Sequence, residues 1–181
     1  MKKFSPYEVL LGVNNMWHFV HQAQLCGNHC PIPMREFYQY VTADLKWSII
    51  NPGSVLICAY AYFVYGQEKK LLDDFLSSDE GKEAFLAKFT VADTSYEKLT
   101  SNKEKVDYIK RRLRNSLAHC RYSVEVRTES GKIRNDGDVY YVFEDEDREG
   151  RNKTKIEISF PSFANIIQAT GKFGFKKLKQ R

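Results

Sequence analysis

The hydrophobic period of this chain changes once, near Cys120, and that change limits the folds open to it. Before it, apolar residues recur every three or four positions, the spacing of one helix face; after it they alternate, the spacing of a half-buried strand. Tyr7 to Leu25 carries Leu10, Val13, Trp17, Val20 and Ala23 at helical spacing. Pro6 stands near the first turn, where a missing N–H does no harm, and Gly27-Asn28-His29-Cys30-Pro31 ends the helix. Met34, Phe37, Tyr38, Val41, Leu45 and Ile49 mark a second helix closed by Asn51-Pro52-Gly53. A third runs from about Ser54 to Leu76, and Ser77 to Lys103 reads as a short helix and a loop. From Lys103, Val106, Ile109, Leu113 and Leu117 fall on one stripe of a fourth long helix.

Three strands follow, Tyr122 to Arg127, Val139 to Phe143 and Lys155 to Phe160. Turn chemistry at Ser130-Gly131 and Asn135-Asp136-Gly137-Asp138 implies antiparallel pairing. A last helix starts after Pro161 and carries Phe163, Ile166 and Ile167, with Gly171 near its end. The expected fold class is mainly α: a four-helix bundle with a C-terminal antiparallel β-hairpin or meander and a terminal helix. Residues 1–181 are expected to form one domain, with a helical core over about 6–122 and the strands and final helix over 123–181.

An apolar content of 43% supports a core without disulfide or metal staples. The longest apolar run, Ser54 to Tyr65, is shorter than the ~20 residues that span a bilayer. Pro6, Glu8, Asn14 and Asn15 interrupt any secretory apolar segment after Met1-Lys2-Lys3-Phe4. No membrane is expected, and the chain reads as cytoplasmic. Cys26, Cys30, Cys58 and Cys120 lack disulfide-framework spacing and read as reduced thiols. Cys26-Gly27-Asn28-His29-Cys30 lacks the second close pair that tetrahedral zinc needs. No metal ligands and no phosphate-cradling glycine loop stand out, so no cofactor is expected.

The formal charge of +5 is modest, and its distribution says more. Lys110, Arg111, Arg112, Arg114 and Arg121 crowd one short stretch, and Lys172, Lys176, Lys177, Lys179 and Arg181 form a basic tail. Glu144, Asp145, Glu146, Asp147 and Glu149 form an acidic run, which reads as a solvated face.

One segment holds reactive chemistry. With Arg114 at zero and ~100° per residue, Asn115 lies near ~100°, His119 near ~140° and Arg111 near ~60°, opposite an apolar stripe centred near ~265°. Ala118 lies between Arg114 and His119, leaving a low surface where an anion can approach both. Histidine exchanges protons near neutral pH, and arginine presents a planar fork of donors matched to phosphate oxygens. Together they suit phosphodiester cleavage. The same residues are also compatible with a basic, solvated helix end.

Arg114-Asn115-Ser116-Leu117-Ala118-His119 resembles the signature of the HEPN superfamily, an Arg and a His four to six residues apart with a polar residue after the Arg. The resemblance covers the helical part, about residues 6–122, and places the motif at the end of the fourth helix, as here. The trailing strands and basic helix resemble one bacterial branch of the family. The resemblance implies a HEPN-like bundle and a metal-independent endoribonuclease, as in toxin–antitoxin, abortive-infection and CRISPR-associated members. It implies that Arg114 binds the scissile phosphate, His119 transfers protons and Asn115 orients His119 or the phosphate; Lys110, Arg111 and Arg121 are expected as RNA-binding cations. It also implies RNA as substrate, a homodimer, and an antitoxin or nucleotidyltransferase partner. Some toxin members carry a tyrosine two residues after the histidine that such a partner modifies; here that position is Arg121 and the tyrosine is Tyr122, which puts that mode of control in doubt. Two other readings stay open: a catalytically silent HEPN module that binds RNA, a nucleotide or a partner protein, and a structural helical adaptor.

Overall fold

The alternating residues after Cys120 hydrogen-bond into the middle of a sheet whose edges come from elsewhere in the chain. The computed structural model describes residues 2–3, 16, 19–20, 23, 33, 36–39, 50–68, 70, 72–130, 132–133, 136–146, 149–150 and 152–179. In chain order the elements are β1 (Lys2–Lys3), α1 (Pro52–Tyr60), a π-helical turn (Ala61–Tyr65) that continues into Gly66–Glu68, α2 (Asp73–Ser77), α3 (Asp79–Lys88), β2 (Thr90–Ala92), α4 (Thr94–Glu97), α5 (Asn102–Ala118), β3 (Tyr122–Val126), a 3-10 turn (Asp136–Asp138), β4 (Val139–Asp145), β5 (Thr154–Ser159) and α6 (Phe160–Lys179). The chain groups into two compact units, Met1–Lys3 with Cys58–Arg181, and Phe4–Ile57.

Within Phe4–Ile57, the first two expected helices fall almost wholly outside the described residues; positions 16, 19–20, 23 and 36–39 are helical. The Phe19 ring meets Phe37 edge-on with centroids 5.8 Å apart. Asn51-Pro52-Gly53, expected to close the second helix, instead opens α1. Asn51 Oδ1 accepts from Gly53 N at 2.9 Å and Ser54 N at 3.1 Å, and Pro52 takes the first helical position, where no N–H is needed.

In the larger unit, the expectation of a mainly α four-helix bundle with an appended hairpin or meander is corrected. The protein is mixed α and β, built on a five-stranded antiparallel sheet in the order β1-β3-β4-β5-β2. β2 comes from the stretch read as short helix and loop, and β1 from the extreme N-terminus. Two and three residues are too few to show an alternation, so both edges escape a period-based reading. The expected third helix is also divided: the π turn interrupts it, and Lys70 turns left-handed at φ 56° before α2. The near-continuous apolar run there signals burial without fixing a helical register.

Register places Val124 opposite Tyr141, Tyr141 opposite Ile158 and Phe143 opposite Ile156, all buried on one face. α6 packs on that face through Phe163, whose ring lies 5.1 Å from Tyr141, 5.5 Å from Phe143 and 5.9 Å from Phe63 between centroids. Each fully buried side chain of this size contributes roughly 1.5–3 kcal/mol. Gly171, expected near the helix end, lies inside α6, which continues to Lys179. A Cβ at Gly171 would sit 2.9 Å from the Tyr62 hydroxyl, so this glycine permits close packing rather than termination.

The other face is polar, as one-sided antiparallel sheets commonly are. Glu157 accepts from Arg127 Nη1 at 2.7 Å and lies 2.6 Å from Lys155 Nζ, while Arg127 also reaches Glu125 at 3.3 Å. The Arg127 hydrogen bond, with help from Lys155, outweighs burial and holds the Glu157 carboxyl at about 2 against an ordinary 4.5. A depressed carboxyl pKa gives stability that is present above the unfolded value and lost as pH falls towards the folded one. Glu157→Gln should therefore reduce the loss of stability between pH 6 and pH 2 by roughly 1–2 kcal/mol, after discounting for solvent screening. Urea melts at the two pH values check this; equal losses in wild type and variant would show that the pair carries no pH-dependent stability.

Candidate functional site

α5 is fixed at both ends. Ser101 Oγ accepts from Glu104 N at 3.1 Å and the Glu104 carboxylate accepts from Ser101 N at 3.3 Å, a reciprocal cap. Val106, Ile109, Leu113 and Leu117 are all buried on one side. At the other end, Cys120 N donates to Leu117 O at 3.2 Å and Arg121 N to Ser116 O at 2.8 Å. These are the two bonds of a Schellman turn, with Cys120 left-handed at φ 54° in the position glycine usually takes. The turn leads directly into β3, so the backbone of His119, the C-cap residue, is held between a helix and a sheet. Its exposed imidazole has no hydrogen-bond partner among the described residues.

Asn115 opens the last turn of α5 and Arg114 directly precedes it. Arg114 Nη1 donates to Asn115 Oδ1 at 3.3 Å, and Nη2 donates to Glu68 Oε1 at 2.6 Å, from the turn that ends α1. Asn115 Nδ2 donates to Asp145 Oδ2 at 3.2 Å. The same oxygen accepts from Arg112 Nη1 at 3.0 Å. Burial alone would lower the Arg112 pKa; its bonds to Asp145 and Tyr108 outweigh that and hold it above the ordinary value. Ser116 Oγ lies 2.9 Å from both the Arg112 and Glu144 carbonyls, tying the helix to the end of β4.

The expected RNA-binding cations are dispersed. Lys110 turns to Asp73 at 3.1 Å and Asp107 at 3.4 Å, with its side chain 17% exposed. Arg111 is exposed, its guanidinium 5.5 Å from the centre of the Tyr108 ring. Arg121 lies past the turn, 4.0 Å from Asp145 and 3.8 Å from Glu146. Of the basic tail, Lys172 is exposed, and the other side chains lie outside the described set.

Beyond Arg121 opens a cleft of about 730 Å³ whose lining includes Cys120, Tyr122, Asp145, Lys153 and Thr154. Thr154 and Tyr108 both donate to Asp93, and their hydroxyl oxygens lie 3.0 Å apart. Burial would raise the Asp93 carboxyl, but these bonds from Thr154 and Tyr108 dominate and lower it.

Three participants escape a motif-based reading: Glu68, Arg112 and Asp145. For Asp145 a signal existed. Tyr141, Phe143 and Asp145 alternate, which puts the aspartate on the buried face rather than among solvated acids. Among the described residues no group of His, Cys, Asp or Glu is placed to hold a metal, and Cys58 and Cys120 are free. Cys26, His29 and Cys30 lie outside those residues. No helix among the described residues is long and apolar enough to cross a membrane.

No curated protein and no solved structure matches the chain. A family model described as HEPN pEK499 p136 matches residues 14–181, a span that holds the whole of α5, its closing turn and the central strands. With that match over most of its length, the chain belongs to this HEPN family.

Proposed function

We propose that the protein is an endoribonuclease that cleaves RNA without a metal, and that Arg114, Asn115 and His119 are its reacting group. HEPN membership points to a nuclease-related or toxin-like module. The observation that carries the finer reading is the C-terminal end of α5: an arginine joined to the asparagine that follows it, and an exposed histidine on the cap that closes the helix. The ribose 2′-OH attacks the adjacent phosphorus and the bond to O5′ breaks, leaving a 2′,3′-cyclic phosphate and a 5′-OH. Arg114 offsets the charge that gathers on the phosphoryl oxygens. One histidine takes the 2′-OH proton and another supplies a proton to O5′. Each chain has one histidine in the motif, so a two-fold dimer across this face supplies the second. A role in toxin–antitoxin or phage-defence systems follows from the same reading.

A second reading has an observation of its own: Glu68 holds the Arg114 guanidinium at 2.6 Å, as it would in a silent module that binds RNA, a nucleotide or a partner protein. Incubation of the full chain with labelled single-stranded RNA in EDTA separates the two. The enzyme leaves cyclic-phosphate ends and spares DNA of the same sequence, which has no 2′-OH. Binding to RNA without any cleavage would overturn the nuclease reading in favour of the module.

A further inference from the structure

The geometry points to Asp145 as the positioning residue of this site, acting through Asn115 to set the placement of the Arg114 guanidinium. The inference rests on reading Arg114 as the group that meets the scissile phosphate. A carboxylate can only accept hydrogen bonds and a guanidinium can only donate them. Asp145 therefore requires the Nδ2 side of the Asn115 amide, at 3.2 Å, and Arg114 requires its Oδ1 side, at 3.3 Å. The two neighbours demand the same orientation of one amide, so the Asn115 side chain works as a rigid link between carboxylate and guanidinium. Among the described residues the Asn115 Nδ2 has no other acceptor.

The far end of the link is well anchored. Asp145 is 4% exposed, stands opposite Thr154 in the β4–β5 register, and is bonded to Arg112 at 3.0 Å. The Arg114 side chain, by contrast, is 32% exposed, and that of its other partner Glu68 is 58% exposed. An exposed ion pair of that kind restrains a long side chain weakly. The buried carboxylate on the sheet thus contributes the rigid part of the guanidinium's placement without touching the substrate.

Placement of one group matters most in the transition state, whereas RNA affinity is shared among many phosphate contacts. The test compares wild type, Arg114→Ala and Asp145→Ala in two assays. One is single-turnover cleavage of a labelled single-stranded RNA; the other is binding of the same sequence carrying 2′-O-methyl groups throughout, which cannot react. Asp145→Ala, which leaves no side-chain acceptor for the Asn115 amide, should slow cleavage by roughly 10- to 100-fold while 2′-O-methyl RNA binds within about threefold of wild type. Removing the carboxylate also strips Arg112 of its counter-charge. Arg112→Met with Asp145→Ala replaces the buried pair by uncharged side chains, should keep the fold and should show the same slowing. Cleavage at the wild-type rate by either Asp145 variant, with Arg114→Ala inactive, would overturn this inference alone. So would a loss of binding equal to the loss of rate. A wild-type protein that binds the RNA and leaves it intact would instead overturn the nuclease reading, and this one with it.

Discussion

Arg114→Ala should lower the single-turnover rate of RNA cleavage by at least ~100-fold, and His119→Ala by ~100- to 10,000-fold, with both proteins still folded. Among the described residues the charged partner of Arg114 is the exposed Glu68, so loss of the arginine should change stability by no more than about 1 kcal/mol. The His119 imidazole is exposed and bonded to none of the described residues, while the backbone bonds that close the helix persist in alanine. Circular dichroism and thermal melting run beside the cleavage assay check both halves of the expectation. Collapse of the His119→Ala protein would make the residue structural, and unchanged cleavage in either variant would remove the proposed chemistry. In a shared dimeric site, a mixture of the two inactive variants should regain partial activity, because a mixed dimer keeps one intact Arg114 and one intact His119.

Arg112→Ala should be the most damaging single change in the basic cluster, destabilising the protein by roughly 3–5 kcal/mol. It strands the Asp145 carboxylate, 4% exposed, without its closest cation. It also removes the guanidinium 5.2 Å from the centre of the Tyr108 ring. Whole domains of this kind are held by about 5–15 kcal/mol, so the change should consume much of the margin. Arg111→Ala, one residue earlier on the exposed side, should stay within about 0.5 kcal/mol of wild type. Urea denaturation of the two proteins makes the comparison, and equal midpoints would show that another group neutralises Asp145.

The contrast between those neighbours shows what the sequence could and could not disclose. Val106, Ile109, Leu113 and Leu117 mark α5 because a helix repeats every 3.6 residues and four apolar positions suffice to reveal it. The three central strands are legible for the same kind of reason, each being long enough to alternate. Arg112, by its letter, is another cation in a basic run; its burial depends on Asp145, 33 positions later, across a strand pairing that no local pattern encodes. Glu68 is equally remote from Arg114, separated by 46 positions. The motif itself could be read because Arg114, Asn115 and His119 are local to one helix end, whereas Glu68 and Asp145, which bond to it, come from two other places in the fold. β1 and β2 were illegible because strands of two and three residues carry no period.

Those two short strands have a bearing on how copies of this chain can associate. A sheet grows by recruiting another backbone along an open edge, and long, flat, apolar edges are the ones that aggregate. Here the long strands β3, β4 and β5 are interior. One border is two lysines long; the other spans three residues and is followed at once by the Asp93 turn. Among the described residues neither border gives a neighbour more than a few backbone groups. Recruitment of a further strand at either of these borders is thereby disfavoured.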